Sequence, residues 1–448
     1  MKPVAKPKTL AELMAAFRND RFPKLIEAGA VTPLPNGKYR HWDKLRHLKP
    51  PADISSEEWW LGVKLARSNM RRTLPLKDAA GLPFSYMMAD PVQEMLHHID
   101  QKAAGRIELA EEVTNSETRD RYIMNSLIEE AITSSQLEGA STSRVVASDM
   151  IRSGRKPTDR SEQMIVNNYV AIVEIRNLID RSLTPQDVLN LHETITEDTL
   201  DNPALAGRLQ TSDDVRVSVV DNASHQVLYT PPPAAQLPSR LAQMCKFANG
   251  DLPKNQFTHP IIRAIVLHFW LAHDHPFEDG NGRTARALFY WCMLSSGYWL
   301  FEYVSISTIL KVAHAKYGKS YLYTESDEND LTYFIIHQLE VMTRAIKSLE
   351  AHLAKKVSQT KEVENQLRAG SDFNHRQLAI LSHALRHPRA EYTIKSHQRS
   401  HRVAYATASA DLMRLADEGL LDRRRSGKKT HIFIAPADIR RRLQDQEP

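Results

Sequence analysis

Cysteine is almost missing: Cys245 and Cys292 are the only two in 448 residues. That excludes a disulfide framework and suits a reducing compartment. Long apolar runs are missing too. The richest, Ala264 to Ala272, is interrupted by His268 and suits a buried helix better than a bilayer span, which needs about 20 apolar residues. The opening Met1-Lys2-Pro3-Val4-Ala5-Lys6-Pro7 lacks the apolar core of a secretory signal. There is no glycine- or proline-rich tract, internal repeat or low-complexity segment to suggest long disorder. These absences point to a soluble cytoplasmic protein with no membrane partner. Its length leaves room for two to four domains with substantial cores.

Charge of one sign is scarce over most of the chain. From Ser371 to Pro448 there are 15 Lys/Arg against 9 Asp/Glu, an excess of +6 that is larger than the formal +5 of the whole sequence. A basic tail on a near-neutral body suggests an acidic partner for that tail.

The periodicity is mostly helical. Helical stretches are expected at about Glu111 to Ile151, Ser161 to Asp180, from Thr184-Pro185 through Leu191-His192-Glu193, and from Asp330-Leu331-Thr332 to about Leu367. Trp59 and Trp60 read as core or domain-contact anchors. Helical spacing fails at Val215-Arg216-Val217-Ser218-Val219-Val220 and at Gln226-Val227-Leu228-Tyr229-Thr230. These β-favouring runs flank a hairpin loop at Asp221 to His225. A helix is expected from Pro260, well placed as a first helical residue. It is apolar nearly all round, with His268 as a core histidine.

That helix leads into His275-Pro276-Phe277-Glu278-Asp279-Gly280-Asn281-Gly282-Arg283-Thr284-Ala285-Arg286. The glycines let consecutive N–H groups turn toward one point, forming an anion nest. The next helix, Arg283 to Leu294, aims its positive N-terminal end at the same anion. Arg283 and Arg286, three apart, share one helix face, and their forks suit two phosphates. Asp279 is a hard oxygen ligand suited to Mg2+, and His275 titrates near neutrality. His273 is two residues from His275, a spacing that does not bring both rings to one metal.

The stretch resembles the Fic family motif His-x-Phe-x-(Asp/Glu)-Gly-Asn-Gly-Arg-x-x-Arg, with every specified position filled. The resemblance covers about Glu111 to Leu339. It implies AMP transfer from ATP to a Ser, Thr or Tyr hydroxyl of a target protein, with release of pyrophosphate. His275 would be the base and Asp279 would hold Mg2+. Gly280, Asn281, Gly282, Arg283 and Arg286 would bind phosphate, and Phe277 would anchor the loop. The hairpin corresponds to the family's flap, where Val217, Val219, Val227 and Tyr229 would dock an extended target segment as an added strand. Relatives that act as kinases have lysine where Gly282 stands, so Gly282 favours nucleotidyl transfer. Ser134-x-x-x-Glu138-Gly139 resembles the family's inhibitory helix, whose glutamate reaches the arginine equivalent to Arg286. A carboxylate there would occupy the fork that holds the γ-phosphate. The same glutamate could instead activate water for AMP removal.

The expected fold is mainly α: a Fic-type helical core with a β-hairpin flap and a C-terminal winged helix–turn–helix. The expected divisions are an N-terminal helical extension (1–110), an inhibitory-helix region (111–160), a catalytic core (161–340), a helical connector (341–370) and the winged unit (371–445). In the last, Thr393 to His401 and Tyr405 to Leu415 would be the paired helices. Arg423-Arg424-Arg425-Ser426-Gly427-Lys428-Lys429 would form the basic wing, a design suited to DNA or to dimerisation or target docking. A transcription regulator with a nucleotide-sensing core is the rival reading. The intact His275 and Asp279 argue against it, because a sensor needs no base. Oligomeric state is open, with a homodimer among the partners considered.

Overall fold

The computed structural model describes residues 4–104, 116–216, 219–220, 227–253, 256–370, 373–426 and 430–444. The chain forms two units, Met1–Ile107 with Ile123–Lys347, and Glu108–Tyr122 with Ser348–Pro448. The fold is mainly helical, as expected.

The first unit opens with α1 (Leu10–Ala16), α2 (Phe22–Glu27), α3 (Trp42–Leu45) and α4 (Ser56–Ser68). Ser55 and Glu58 close a capping box at the start of α4, which satisfies two of the helix's orphan N–H groups. Trp59 and Trp60 are buried in a core with Leu13, Leu25 and Leu45. The extension is not wholly helical. β1 (Arg71–Lys77) and β2 (Pro83–Met87) pair antiparallel, with Arg71 opposite Met87. Leu74 and Leu76 face the core while Pro75 between them is exposed. Only that short alternation marks a strand in the sequence.

The extension is fastened to the loop at 327–330 by buried polar contacts. Lys64 Nζ donates to Asp327 at 2.6 Å, Tyr333 OH to Asp327 at 2.7 Å, and Arg67 to Tyr333 OH at 2.8 Å. Tyr39 OH donates to Asp330 at 2.5 Å. Ser85 adds backbone bonds on both sides, its N–H to Asn329 at 3.1 Å and its C=O from Leu331 at 2.8 Å. Lys64 and Asp327 are buried as an ion pair, and either charge without the other would be costly to desolvate.

The helices that carry the site follow: α5 (Asp90–Ala103), α6 (Ser116–Leu137), α7 (Arg144–Ser153), α8 (Arg160–Ile175) and α9 (Pro185–Thr196). Among the described residues the hairpin strands are β3 (Val219–Val220) and β4 (Val227–Tyr229), paired antiparallel. Val215 and Arg216 lie outside them, and Arg216 is committed to the site described below. The centre is α11 (Pro260–Asp274), which follows α10 (Leu237–Ala248) and packs antiparallel-fashion into α12 (Asn281–Ser295) across the motif loop. Pro260 at its first turn and the His259 ring, accepting from Ile261 N–H, start α11. Its residues Ile261, Ile265, Leu267, Phe269, Trp270 and Leu271 are all buried, and His268 is a core histidine that meets Tyr317 OH at 2.9 Å. After α13 (Ile306–Val312) and α14 (His314–Ser326), α15 runs unbroken from Thr332 to Gly370.

The second unit also contains α16 (His375–Arg386), β5 (Glu391–Thr393), α17 (Ile394–His401), α18 (Tyr405–Asp417), β6 (Asp422–Ser426), β7 (Thr430–Ile434) and α19 (Ile439–Gln444). The strands form an antiparallel sheet in the order β5-β7-β6. Leu381, Leu412, Leu415, Leu420 and Phe433 share one core. Lys428 and Lys429 lie outside the described residues.

Candidate active site

The motif loop begins where α11 ends. His275 caps that helix in the left-handed region, with φ 45° and ψ 56°, which costs a residue with a Cβ about 1–2 kcal/mol. Such a conformation persists only when its surroundings impose it. Arg216 does so: its guanidinium donates to His275 O at 2.9 Å, Asp274 O at 2.8 Å and Pro232 O at 3.1 Å. Gln210 N–H adds a bond to Pro276 O at 2.9 Å.

Phe277 is fully buried, and its ring stacks on His192 with centroids 3.7 Å apart and planes 8° apart. The Asn281 side chain closes the loop on itself, accepting from Phe277 N–H at 3.0 Å and donating to Phe277 O at 2.8 Å. Asn281 is therefore a clamp whose side chain is spent inside the loop. Gly280 has φ 79°, a backbone state that favours glycine, and a Cβ there would strike Thr196.

His192 is a site residue that the motif did not announce. Its Nδ1 accepts from Gly207 N–H at 3.0 Å, so Nε2 carries the proton and donates to Asp279 O at 2.9 Å. Burial drives its pKa down to about 4, which keeps this neutral tautomer. One ring thus supports both Phe277 and the Asp279 backbone. His192→Phe should keep the stacking but lose both hydrogen bonds. We expect about a 10–100-fold fall in kcat/KM for transfer, typical of a group that orients a ligating residue, with a melting temperature close to that of the parent. An unchanged rate in steady-state assays would remove the positioning role.

The two arginines face different partners. Arg283 turns inward, fully buried, donating to Ile195 O at 3.0 Å and approaching Asp279 Oδ2 at 3.4 Å. Arg286 faces α6: Nε donates to Ser134 Oγ at 2.7 Å, and Nη2 to Ser134 O at 3.0 Å and Glu138 Oε1 at 2.8 Å. Glu138 reaches this point from just beyond the end of α6, where Gly139 turns the chain at φ 99°. Its carboxylate lies directly over Gly282, so that a Cβ on residue 282 would collide with Oε1. The structure therefore brings Ser134, Glu138, Gly282 and Arg286 together.

Asp279 presents a carboxylate that is 45% exposed and touched only at its rim, by Gly280 N–H at 2.6 Å and by Arg283. No cluster of three or more His, Cys, Asp or Glu side chains suited to a metal occurs among the described residues. A single accessible carboxylate fits Mg2+ shared with phosphate oxygens, the usual way this ion is held.

His275 opens into a cavity of about 310 Å³, which Glu138, Gly282 and Arg286 also line. Burial lowers the pKa of the ring, and a backbone hydrogen bond with Ala272 partly offsets the shift. A base with a lowered pKa stays unprotonated to more acid pH, so the acid limb of a kcat/KM profile should fall below pH 6.5, the ordinary histidine value. An acid limb above pH 7 would contradict this assignment.

From the hairpin, Tyr229 reaches the cavity and its OH meets His273 Nε2 at 2.9 Å. Val227 is exposed. Val217, the side chain of Val219 and the loop Asp221 to His225 lie outside the described residues.

A left-handed histidine, a clamped glycine turn and a helix N-terminus between two buried helices define a Fic-type core. Residues 182–293 match the Fic/DOC family profile. Over 214 residues the chain is 28% identical to "Protein adenylyltransferase Fic" of Nematostella vectensis, covering 46% of each chain. It is 22% identical over 295 residues to the Drosophila virilis protein of the same name, covering 64% of this chain and 56% of that one. The chain thus spans about half the length of these relatives. In fold it is similar to a Fic family protein from Desulfovibrio desulfuricans G20, with a TM-score of 0.52 at 16% identity, covering 79% of this chain and 98% of that one.

Proposed function

We propose that this protein is a protein adenylyltransferase held back by its own Glu138. One observation carries the reading: Glu138 is bonded to Arg286 at 2.8 Å, in the cavity that His275 lines. The carboxylate sits where the backbone N–H groups at the start of α12 and the Arg286 fork would receive an anion. When Glu138 withdraws, the triphosphate of ATP takes its place. Arg286 then changes partner from carboxylate to phosphate.

His275, neutral and held at the cavity edge, takes the proton of a target Ser, Thr or Tyr hydroxyl. The hydroxyl oxygen bonds to the α-phosphorus, the bond from that phosphorus to the bridging oxygen breaks, and pyrophosphate leaves with the electron pair. Mg2+, held at Asp279 with the phosphates, would offset charge on the departing oxygens. His192, Asn281 and Arg216 keep His275 and Asp279 in place, so most of the acceleration comes from positioning and charge stabilisation. The hairpin that carries Tyr229 offers an edge for an extended target segment. The curated names of the relatives support the transferase assignment. Both cysteines are buried free thiols, which supports a cytoplasmic setting.

The test is ATP labelled on its α-phosphate, with wild type and Glu138→Gly side by side. Label on protein in the variant supports the reading, and no label in either sinks it.

The second unit supports an additional DNA-binding role. We read α17, α18 and the β5-β7-β6 sheet as a winged helix–turn–helix. Arg423, Arg424 and Arg425 are exposed on β6, suited to phosphates beside a groove-seated α18. A gel shift that weakens steeply with salt supports this role, and its absence at low salt removes it.

A further inference from the structure

The cavity contains a carboxyl group that the transfer chemistry does not use. Glu325, on α14, lines it together with Tyr229 and Tyr321, eight residues and so two helical turns beyond Tyr317, which adjoins Arg286. Its side chain is only 17% exposed, and the nearest basic atom, His273 Nδ1, is 3.6 Å away, outside hydrogen-bond range. That nitrogen is itself buried and without a partner, since Tyr229 OH engages the other ring nitrogen. A buried ring nitrogen without a partner and a part-buried carboxyl therefore face each other at one wall. Leaving the buried nitrogen unmet is costly, which marks this wall as a place for a ligand. Burial pushes the Glu325 carboxyl up to about 8. At neutral pH it is mainly the protonated acid, with one O–H donor and one carbonyl acceptor side by side.

We propose that Glu325 is the base-reading residue of the cavity and anchors the adenine ring of ATP through its 6-amino group. The inference rests on the nucleotide reading above and adds its specificity. The polarity of the cavity sets the direction. The phosphates belong at the Arg286 and Gly282 end, where N–H donors and a guanidinium converge, and the base is left for the other end. Tyr229 and Tyr321 supply faces for stacking, and Arg286 is the one arginine or lysine among the described residues that line the cavity. The carboxyl accepts a hydrogen from the amino group and donates to the adjacent ring nitrogen, a two-point match to a base edge. A pocket built to hydrogen-bond a substrate group discriminates strongly against an analogue that lacks it.

The experiment compares the binding of ATP with that of purine riboside triphosphate, which lacks the 6-amino group, by calorimetry in a Glu138→Gly background. The parent should prefer ATP by at least about tenfold. Glu325→Ala should lose most of that preference by weakening ATP and sparing the analogue. Glu325→Gln, which keeps a donor beside an acceptor, should retain it. Melting temperatures check that both variants fold, and the analogue comparison in the parent stands even if Glu325→Ala does not. No preference in the parent, or an unchanged ratio in a folded Glu325→Ala, overturns the proposal. Transfer of label with an unchanged ratio removes base reading alone. A preference that depends on Glu325 without any labelled protein removes transfer alone. Failure to bind either nucleotide removes both.

Discussion

Replacing His275 with alanine in the Glu138→Gly background is expected to lower AMP transfer by about 10²–10⁴-fold, the typical weight of a general base. The expectation rests on more than the residue type. His275 stands in a left-handed conformation held by Arg216, in a ring environment that favours the neutral form. Nucleotide affinity should change little, because no phosphate-binding group is removed. The loss should therefore fall on kcat and leave the dissociation constant of ATP near its parent value. Single-turnover labelling together with ATP binding separates the two. A variant that labels within about threefold of its parent would show that another group takes the proton.

Glu138→Gly should raise self-labelling by about 10–100-fold over wild type. The Glu138–Arg286 contact is a hydrogen bond between opposite charges in a largely buried place, with side-chain exposures of 29% and 2%. Such bonds contribute about 1.5–3 kcal/mol, and each 1.4 kcal/mol is a tenfold change in an equilibrium. Arg286 would not be orphaned, since Ser134 still binds it at two points. The variant should therefore fold, and the gain should appear as tighter ATP binding as well as faster transfer. If labelling stays flat while ATP binding tightens, Glu138 has a chemical role, such as activating water for AMP removal. If neither moves, the contact is not inhibitory.

Local chemistry was readable from the chain and distant partnership was not. The loop from His275 to Arg286 is one continuous segment, so residue types at fixed spacing expose its parts. Glu138 was legible because Ser134 and Gly139 frame it within one turn. His192 and Arg216 were not, since they reach the loop across 87 and 59 positions and only the packed helices bring them there. A histidine in an amphipathic helix and an arginine in a β-favouring run look ordinary alone. The inward turn of Arg283 was hidden for the same reason: its partner is the Ile195 carbonyl, and every residue offers a carbonyl. The short β1–β2 hairpin escaped because Pro75 interrupts an already brief alternation.

The polar fastening between the first hundred residues and the 327–330 loop bears on how portable the helical body is. Lys64 and Asp327 have side-chain exposures of 1% and 0%. Replacing Lys64 with a neutral residue would leave Asp327 as a lone interior charge, a penalty on the order of 3–5 kcal/mol. The same loop directly follows α14, which supplies Tyr321 and Glu325 to the cavity wall. The leading segment is therefore part of the minimal folding unit of this body, and whatever loosens it would be felt at the cavity wall.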